Sequence, residues 1–414
     1  MKILHVVAGG RGGGAARGAY WLHTALREEG IDTRVLCNAR DIKGYEFVDS
    51  IASSGLDRVK VAISWRIGRS PIRLYRSRAN VEFNTGFDGI DITRHPAYAD
   101  ADLVHLHWVN GLVGVRTLSK IKKPVLWTLR DMWPITGGCH YSLDCTRFKK
   151  ACGQCPQLGS AREHDLSRWV VRRKERALPG HMRVVGISRW LSECARQSTL
   201  FGKFPVATIS NCVETHGFAP LEKSYARQAL GIDEDRKVLL VGAQNVASAY
   251  KGFDLFLEAL GKLGRKDVQV LLFGKRTAIF PKSLDIPTRN LGFLTDVDSL
   301  RAAYSAADVF VAPSRADAFG KTLVEAMLCG TPVVCFNATG PKDIVDHHET
   351  GYLAEPFSPQ DLANGIHWVL DQRPEAYATM SQSAQERAKQ RFDSRVIARQ
   401  YIELYREIMR SAKA

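Results

Sequence analysis

Acid is what this chain of 414 residues is short of: 58 Lys and Arg stand against 43 Asp and Glu, a formal charge of +15. An excess of that sign suits phosphate-bearing substrates, an anionic membrane surface or nucleic acid, and says nothing about fold. Long apolar runs are missing too, none approaching the roughly 20 residues that span a bilayer. The chain opens on Met1-Lys2-Ile3-Leu4-His5-Val6-Val7, a strand pattern and not the basic-then-apolar start of a secretory leader. No repeat at solenoid spacing and no low-complexity tract occurs, which excludes repeat arrays and disordered classes. Nine cysteines are an odd number, and in a chain this long they fit a reducing compartment better than a disulfide framework. The expected location is the cytoplasm.

What is present is alternation. Strand-like runs at 2–7, 33–37, 103–106 and 125–128 surround a helical period over 15–29, and strand-like runs resume at 238–241, 268–273, 309–312 and 333–336. This pattern predicts an α/β fold with parallel sheets wrapped by helices. The length predicts two domains. Periodicity lapses over 203–232, where Pro205, Pro220 and polar residues fall. Two doubly wound, Rossmann-like domains are therefore expected, 1–205 and 206–394, with a cleft between them.

The densest local pattern is 311–336, VAPSRADAFGKTLVEAMLCGTPVVCF. Ala318-Phe319-Gly320 is a short glycine-bearing loop suited to close approach of backbone and ligand. Leu323, Val324, Ala326 and Met327 keep helical spacing, and Gly330 with Pro332 stops the helix. Asp317 precedes this helix and Glu325 lies within it. Free N–H groups and the dipole at a helix start favour an anion such as phosphate. A carboxylate two turns in can accept from a hydroxyl pair, as on a ribose. Two solvated acids are the plainer reading.

The stretch resembles the signature of retaining glycosyltransferases of family 4, which have the GT-B fold and carry two acids flanking a Phe-Gly loop. The resemblance implies that Asp317, where most of the family has Glu, holds the donor sugar with the backbone of Phe319, Gly320, Lys321, Thr322 and Leu323. Glu325 would hold the nucleotide ribose. Lys251, before Gly252 and an amphipathic helix over 253–263, matches a family Lys-Gly whose ammonium neutralises the leaving diphosphate. The family's usual Arg a few residues earlier is not present, so Lys321 or Arg276 would assist. The last helix, 395–414, would pack back onto the first domain.

Gly9-Gly10-Arg11-Gly12-Gly13-Gly14-Ala15 meets the dinucleotide fingerprint literally. The second strand closes on Cys37-Asn38, however, with no acid before Asp41, as a nicotinamide enzyme would want. The position resembles the family's glycine-rich loop, with Gly12, Gly13 and Gly14 over the donor phosphates. Arg130-Asp131 stands where many members have His-Asp. Arg130 stays protonated and is no general base, so it would hold a phosphate or an acidic acceptor. Similar segments (185–191, 209–214, 340–345 and 351–353) extend the resemblance over nearly the whole chain. Thr136-Gly137-Gly138-Cys139-His140-Tyr141 through Cys155-Pro156 resembles the branch that builds colanic acid, capsule and O-antigen.

The expected activity is transfer of a sugar from a nucleoside diphosphate to a growing, lipid-linked glycan, with retention and no cofactor required for catalysis. A nucleic-acid binder and a nucleotide-sugar epimerase are the rivals. The first lacks any aromatic-interleaved basic motif, and nucleic acid is not an expected partner. Residues 58–80, RVKVAISWRIGRSPIRLYRSRAN, contain seven Lys or Arg and no acid. They read either as an interfacial anchor for anionic lipid at the inner face of the membrane or as a basic loop, with Pro71 breaking any single helix. Cys139, Cys145, Cys152 and Cys155 fall within 17 residues, the last two at zinc-knuckle spacing. A structural zinc, two disulfides and four free thiols are the open readings, in a long loop expected to be poor in core residues.

Overall fold

The computed structural model describes residues 1–10, 14–40, 42–51, 55–79, 81–276 and 285–412. The chain divides into two compact units, 1–210 with 397–414, and 211–396.

The first unit holds one seven-stranded sheet in the order β3-β2-β1-β4-β5-β6-β7. Its strands are β1 Lys2–Val7, β2 Asp32–Cys37, β3 Val48–Ser50, β4 Leu103–Leu106, β5 Val125–Leu129, β6 Met182–Gly186 and β7 Val206–Thr208. Every neighbouring pair is parallel. β4 and β5 are buried at every position, as strands covered by helices on both faces must be. The order reverses between β1 and β4, and such switch points are where open parallel sheets bind ligands.

The second unit repeats the plan with six strands, β10-β9-β8-β11-β12-β13. These are β8 Lys237–Asn245, β9 Val268–Lys275, β10 Thr288–Gly292, β11 Val309–Ala312, β12 Val333–Phe336 and β13 Gly351–Ala354. All are parallel, and the switch point lies between β8 and β11. Helix Phe253–Leu263 buries Phe253, Leu255, Phe256, Ala259, Leu260 and Leu263, the face that its apolar spacing selects. Two doubly wound parallel sheets are the expected architecture. The sequence pattern missed β3, β6, β7, β10 and β13, of which all but β6 are edge strands.

Helix Ser394–Ser411 closes the first unit from the far end of the chain. Tyr405 Oη lies 2.7 Å from His105 Nδ1 and Tyr401 Oη 2.9 Å from Thr128 Oγ1. His105 Nε2 meets Thr128 Oγ1 at 2.8 Å, so β4, β5 and this helix share one buried polar knot. His105 packs at a tilt against His107 and His5, which stack on each other. Burial first, then neighbouring imidazoles and Arg130, holds the pKa of each of these three histidines well below the ordinary value.

This fixes a pH dependence. Below about pH 6.5 the unfolded chain protonates these histidines and the folded chain does not, so stability is present above that value and is lost as pH falls. Each fully neutral imidazole contributes up to about 1.4 kcal/mol per pH unit. Of the eight tryptophans, all but Trp368 lie in the first unit. Urea unfolding followed by tryptophan fluorescence should therefore show a lower midpoint at pH 5.5 than at pH 7.5. An unchanged midpoint would contradict the neutral network.

Candidate active site

The second unit assembles its candidate residues from loops that leave the C-terminal ends of β8 and β11. After β8 the chain makes a 3-10 turn, Ala249–Lys251, and reaches Gly252 in the left-handed region at φ 63°. A Cβ there would lie 1.9 Å from the Pro313 carbonyl oxygen, so only glycine lets the two loops meet. The Lys251 ammonium thereby reaches Asp317, Nζ to Oδ2 at 2.6 Å. Burial pulls the Lys251 pKa down, but Asp317 overrides it and the net shift is upward. An ammonium has three donors and Asp317 takes one, leaving two for another acceptor. Lys251 also lines a small cavity with Gly242, Ala243, Pro313, Ser314 and Thr322.

Asp317 is itself pinned. Its Oδ1 accepts from the Phe319 amide at 3.2 Å, and its carbonyl accepts from the Gly340 amide at 2.9 Å. A Cβ at Gly340 would sit 2.6 Å from the backbone of Ala318 and Phe319, so that glycine sets the height of the loop. Gly320, at φ 110°, precedes helix Lys321–Leu328. Phe319 and Leu323 are buried, while Lys321 and Thr322, in the first turn, are half-buried. Glu325 points inward, 3 % exposed, and its Oε2 accepts from Tyr304 Oη at 2.9 Å. Tyr304 belongs to helix Val297–Ala306 and was not foreseen; no sequence pattern pairs a tyrosine with an acid 21 residues on. Arg276, at φ 60°, closes the described part of its loop. Gly12 and Gly13 lie outside the described residues, and Gly14 opens helix Gly14–Glu28.

In the first unit Arg130 and Asp131 follow β5, both 6 % exposed. Arg130 Nη2 lies 3.1 Å from His107 Nδ1. A guanidinium only donates, so His107 Nδ1 accepts and its Nε2–H donates to His5 Nδ1, 2.9 Å away. The ligand nitrogens of His5, His105 and His107 lie within 4.8 Å of one another. Their hydrogen bonds and the adjacent guanidinium make them a structural relay behind Arg130, unsuited to a cation. Asp131 is equally fixed: Trp108 Nε1 donates to Oδ2 at 2.7 Å, His140 Nδ1 to the same oxygen at 2.6 Å, and the Trp133 amide to Oδ1 at 2.9 Å. Burial lowers the His140 pKa, Asp131 raises it, and the net is upward. Linear spacing does not link Trp108, Asp131 and His140; the fold brings them together.

The loop after β5 corrects one expectation. Far from lacking core residues, it buries Trp133, Ile135, Cys139, Phe148, Cys155 and Leu158. Cys139, Cys155 and Leu158 share a cluster with Ile72 and Phe83. Linear spacing hid this because these side chains pack against a segment some 60 residues earlier. The four cysteines of the loop surround one cavity.

Residues 222–387 match the family model described as glycosyl transferases group 1. The D-inositol 3-phosphate glycosyltransferase of Saccharomonospora viridis is 29% identical over 350 residues, covering 79% of this chain and 74% of that protein. The N-acetyl-alpha-D-glucosaminyl L-malate synthase of Bacillus anthracis is 26% identical over 214 residues, 50% of this chain and 55% of the other. Among solved structures, sucrose-phosphate synthase from Thermosynechococcus elongatus superposes at a TM-score of 0.68 with 20% identity, covering 99% of this chain and 100% of that one. Anabaena HepE in complex with UDP and glucose gives 0.66 at 20% identity, with 98% and 100% covered.

The buried acid yields a direct test. Tyr304→Phe removes the donor to the Glu325 carboxylate and should cost the second unit about 1–3 kcal/mol in denaturant unfolding. No change would mean that Glu325 is held by something else.

Proposed function

We propose that this chain, an enzyme of GT-B fold whose residues 222–387 match the group 1 glycosyl transferases, moves a sugar from a nucleoside diphosphate to a lipid-linked glycan, with retention. The observation that carries the donor site is the Lys251–Asp317 pair at 2.6 Å, set beside the switch point of the second sheet. Lys251 directs its two remaining donors at the diphosphate and stabilises the charge that grows as the glycosidic bond breaks. Asp317 and the amides of 319–323 take the sugar hydroxyls, and Glu325 takes the ribose. Gly12, Gly13 and Gly14 belong to the phosphate side of this reading. Arg130, held by His107, is the cation offered to an acidic acceptor. The transfer step asks for no metal, and a metal at the loop cysteines would be structural.

The relatives are named for an inositol phosphate and for malate, which supports a second reading in which the acceptor is small and anionic. Product analysis with a donor and each acceptor class separates the two. The donor is found first by thermal shift, since a ligand at 100 times its dissociation constant adds about 2.7 kcal/mol.

Lys251→Ala should lower turnover by about 10²-fold while the protein stays folded, and Glu325→Gln should weaken donor binding more than turnover. Asp317→Glu should retain more activity than Asp317→Ala, because only the former keeps a carboxylate opposite Lys251. Wild-type rates in Lys251→Ala would end the donor-site assignment.

A membrane role rests on helix Gly55–Arg69 and the turn Ser70–Leu74 that follows it at Pro71. Val59, Ile63, Trp65, Ile67 and Leu74 are exposed there, with Arg66, Arg69, Arg73 and Arg76 exposed beside them. Apolar side chains among arginines suit an anionic bilayer surface, each basic residue contributing about 1 kcal/mol. In flotation assays the protein should partition to anionic vesicles over neutral ones, and the fourfold Arg→Ser variant should lose that preference. Equal partition would leave this stretch a basic loop.

A further inference from the structure

One loop of the first unit lines a single cavity with four thiols. Cys139, Cys145, Cys152 and Cys155 line a cavity of about 20 Å³ with Phe83, Phe148 and Pro156, and no carboxylate or imidazole shares its wall. That volume admits one water-sized particle. None of the four is disulfide-bonded.

Three further observations say what the place is built for. The backbone amides of Gln157 and Leu158 lie near Cys155 and that of Gly137 near Cys152. Amides near sulfur are the outer shell that a thiolate ligand needs. Second, positive charge gathers around the thiols. Arg147 lines the cavity. Lys174 is 1 % exposed, with its ammonium on the carbonyls of Trp133 and Thr136, and the ionisable groups that face it are Cys139, Cys152 and Asp131. A tetrathiolate centre, which carries two net negative charges with a divalent ion, is favoured by two cations placed this close. Third, Ala151, Cys152, Gly153 and Gln154 are all left-handed, at φ 61°, 56°, 95° and 45°. Non-glycine residues hold that conformation at a cost of order 1–3 kcal/mol each only where the surroundings over-determine it. A Cβ on Gly153 would meet the Glu163 carbonyl at 2.2 Å, so the turn is fixed against its neighbours. Cys155 is anchored by its amide on Asp165 Oδ2 at 2.8 Å.

We propose that Cys139, Cys145, Cys152 and Cys155 form a structural, tetrahedral zinc site. Binding replaces four S–H bonds with four Zn–S bonds and releases four protons to solvent; no redox partner is involved. Four sulfurs fill the shell of a zinc ion and leave no position for substrate. Among the described residues the histidine trio, and not the four sulfurs, is the set of metal-ligating atoms already drawn together, so zinc binding has to pull the sulfurs inward. The centre ties the loop to the segment that follows the arginine-rich helix: Phe83 bridges Cys139, and the Ala79 amide donates to the Gln157 carbonyl at 3.0 Å. His140, the next residue after Cys139, turns to Asp131 instead of to the sulfurs.

The test is metal content of the full-length protein purified without added metal, with cobalt substitution alongside. One zinc per chain is expected, and the cobalt form should show thiolate-to-cobalt charge-transfer absorption with tetrahedral d–d bands. Cys152→Ser should lose at least tenfold in zinc content and gain protease cleavage within 139–162, and Cys194→Ser should do neither. The wild-type metal and cobalt readings stand even where a variant fails to fold. A metal-free protein whose four thiols alkylate under native conditions overturns the proposal. So does an intact mass showing two disulfides. Because metal content is read apart from sugar transfer, this inference and the proposed activity can fail separately.

Discussion

Parallel strands cannot be joined by a tight turn, and that constraint arranges everything else in this molecule. Each strand must be followed by a crossover, so every loop that can carry chemistry leaves the same edge of its sheet. Where the strand order reverses, adjacent crossovers run to opposite faces and leave a gap in the sheet's edge. β8 and β11 flank one such gap, and the turns following them carry Lys251 and Asp317. β1 and β4 flank the other, and the loops after β4 and the neighbouring β5 carry His107, Arg130 and Asp131. The two glycines that set the first arrangement, Gly252 and Gly340, are sites where a methyl group would collide with backbone.

The difference between the two gaps is electrostatic. In the second unit an ammonium and a carboxylate neutralise one another while the ammonium keeps two donors in hand, the arrangement on which the proposed diphosphate site rests. In the first unit the guanidinium of Arg130 rests on a chain of neutral imidazoles. Burial keeps these uncharged, so they orient the arginine without competing with it for an anion. Asp131, with three donors on its two oxygens, positions Trp108 and His140 in the same way.

The GT-B architecture was legible because covered parallel strands are apolar on both faces, and such runs stand out in a sequence. β4, β11 and β12 were readable to the residue for that reason, whereas β10, TRNLG and largely exposed, carries no such signal. The 311–336 signature was legible as well, since loop, helix start and both acids are contiguous. Partners were not. Tyr304 on Glu325, His107 on Arg130 and Asp317 on Lys251 are brought together by topology across 21, 23 and 66 residues. The cysteine spacing was visible, but the hydrophobic packing around it was not, because Phe83 and Ile72 arrive from a distant segment.

The first unit is interrupted: its sheet is complete by residue 208, but the helix that seals it begins after the whole of the second unit. During synthesis the hydroxyls of Tyr401 and Tyr405 emerge only after the strands of both sheets. Until they do, His105 and Thr128 face the place of that helix without their partners. The second unit, contiguous and self-contained, can complete itself first even though it is made later. A chain halted within helix Ser394–Ser411 would carry every strand of the second sheet and an unsealed first unit.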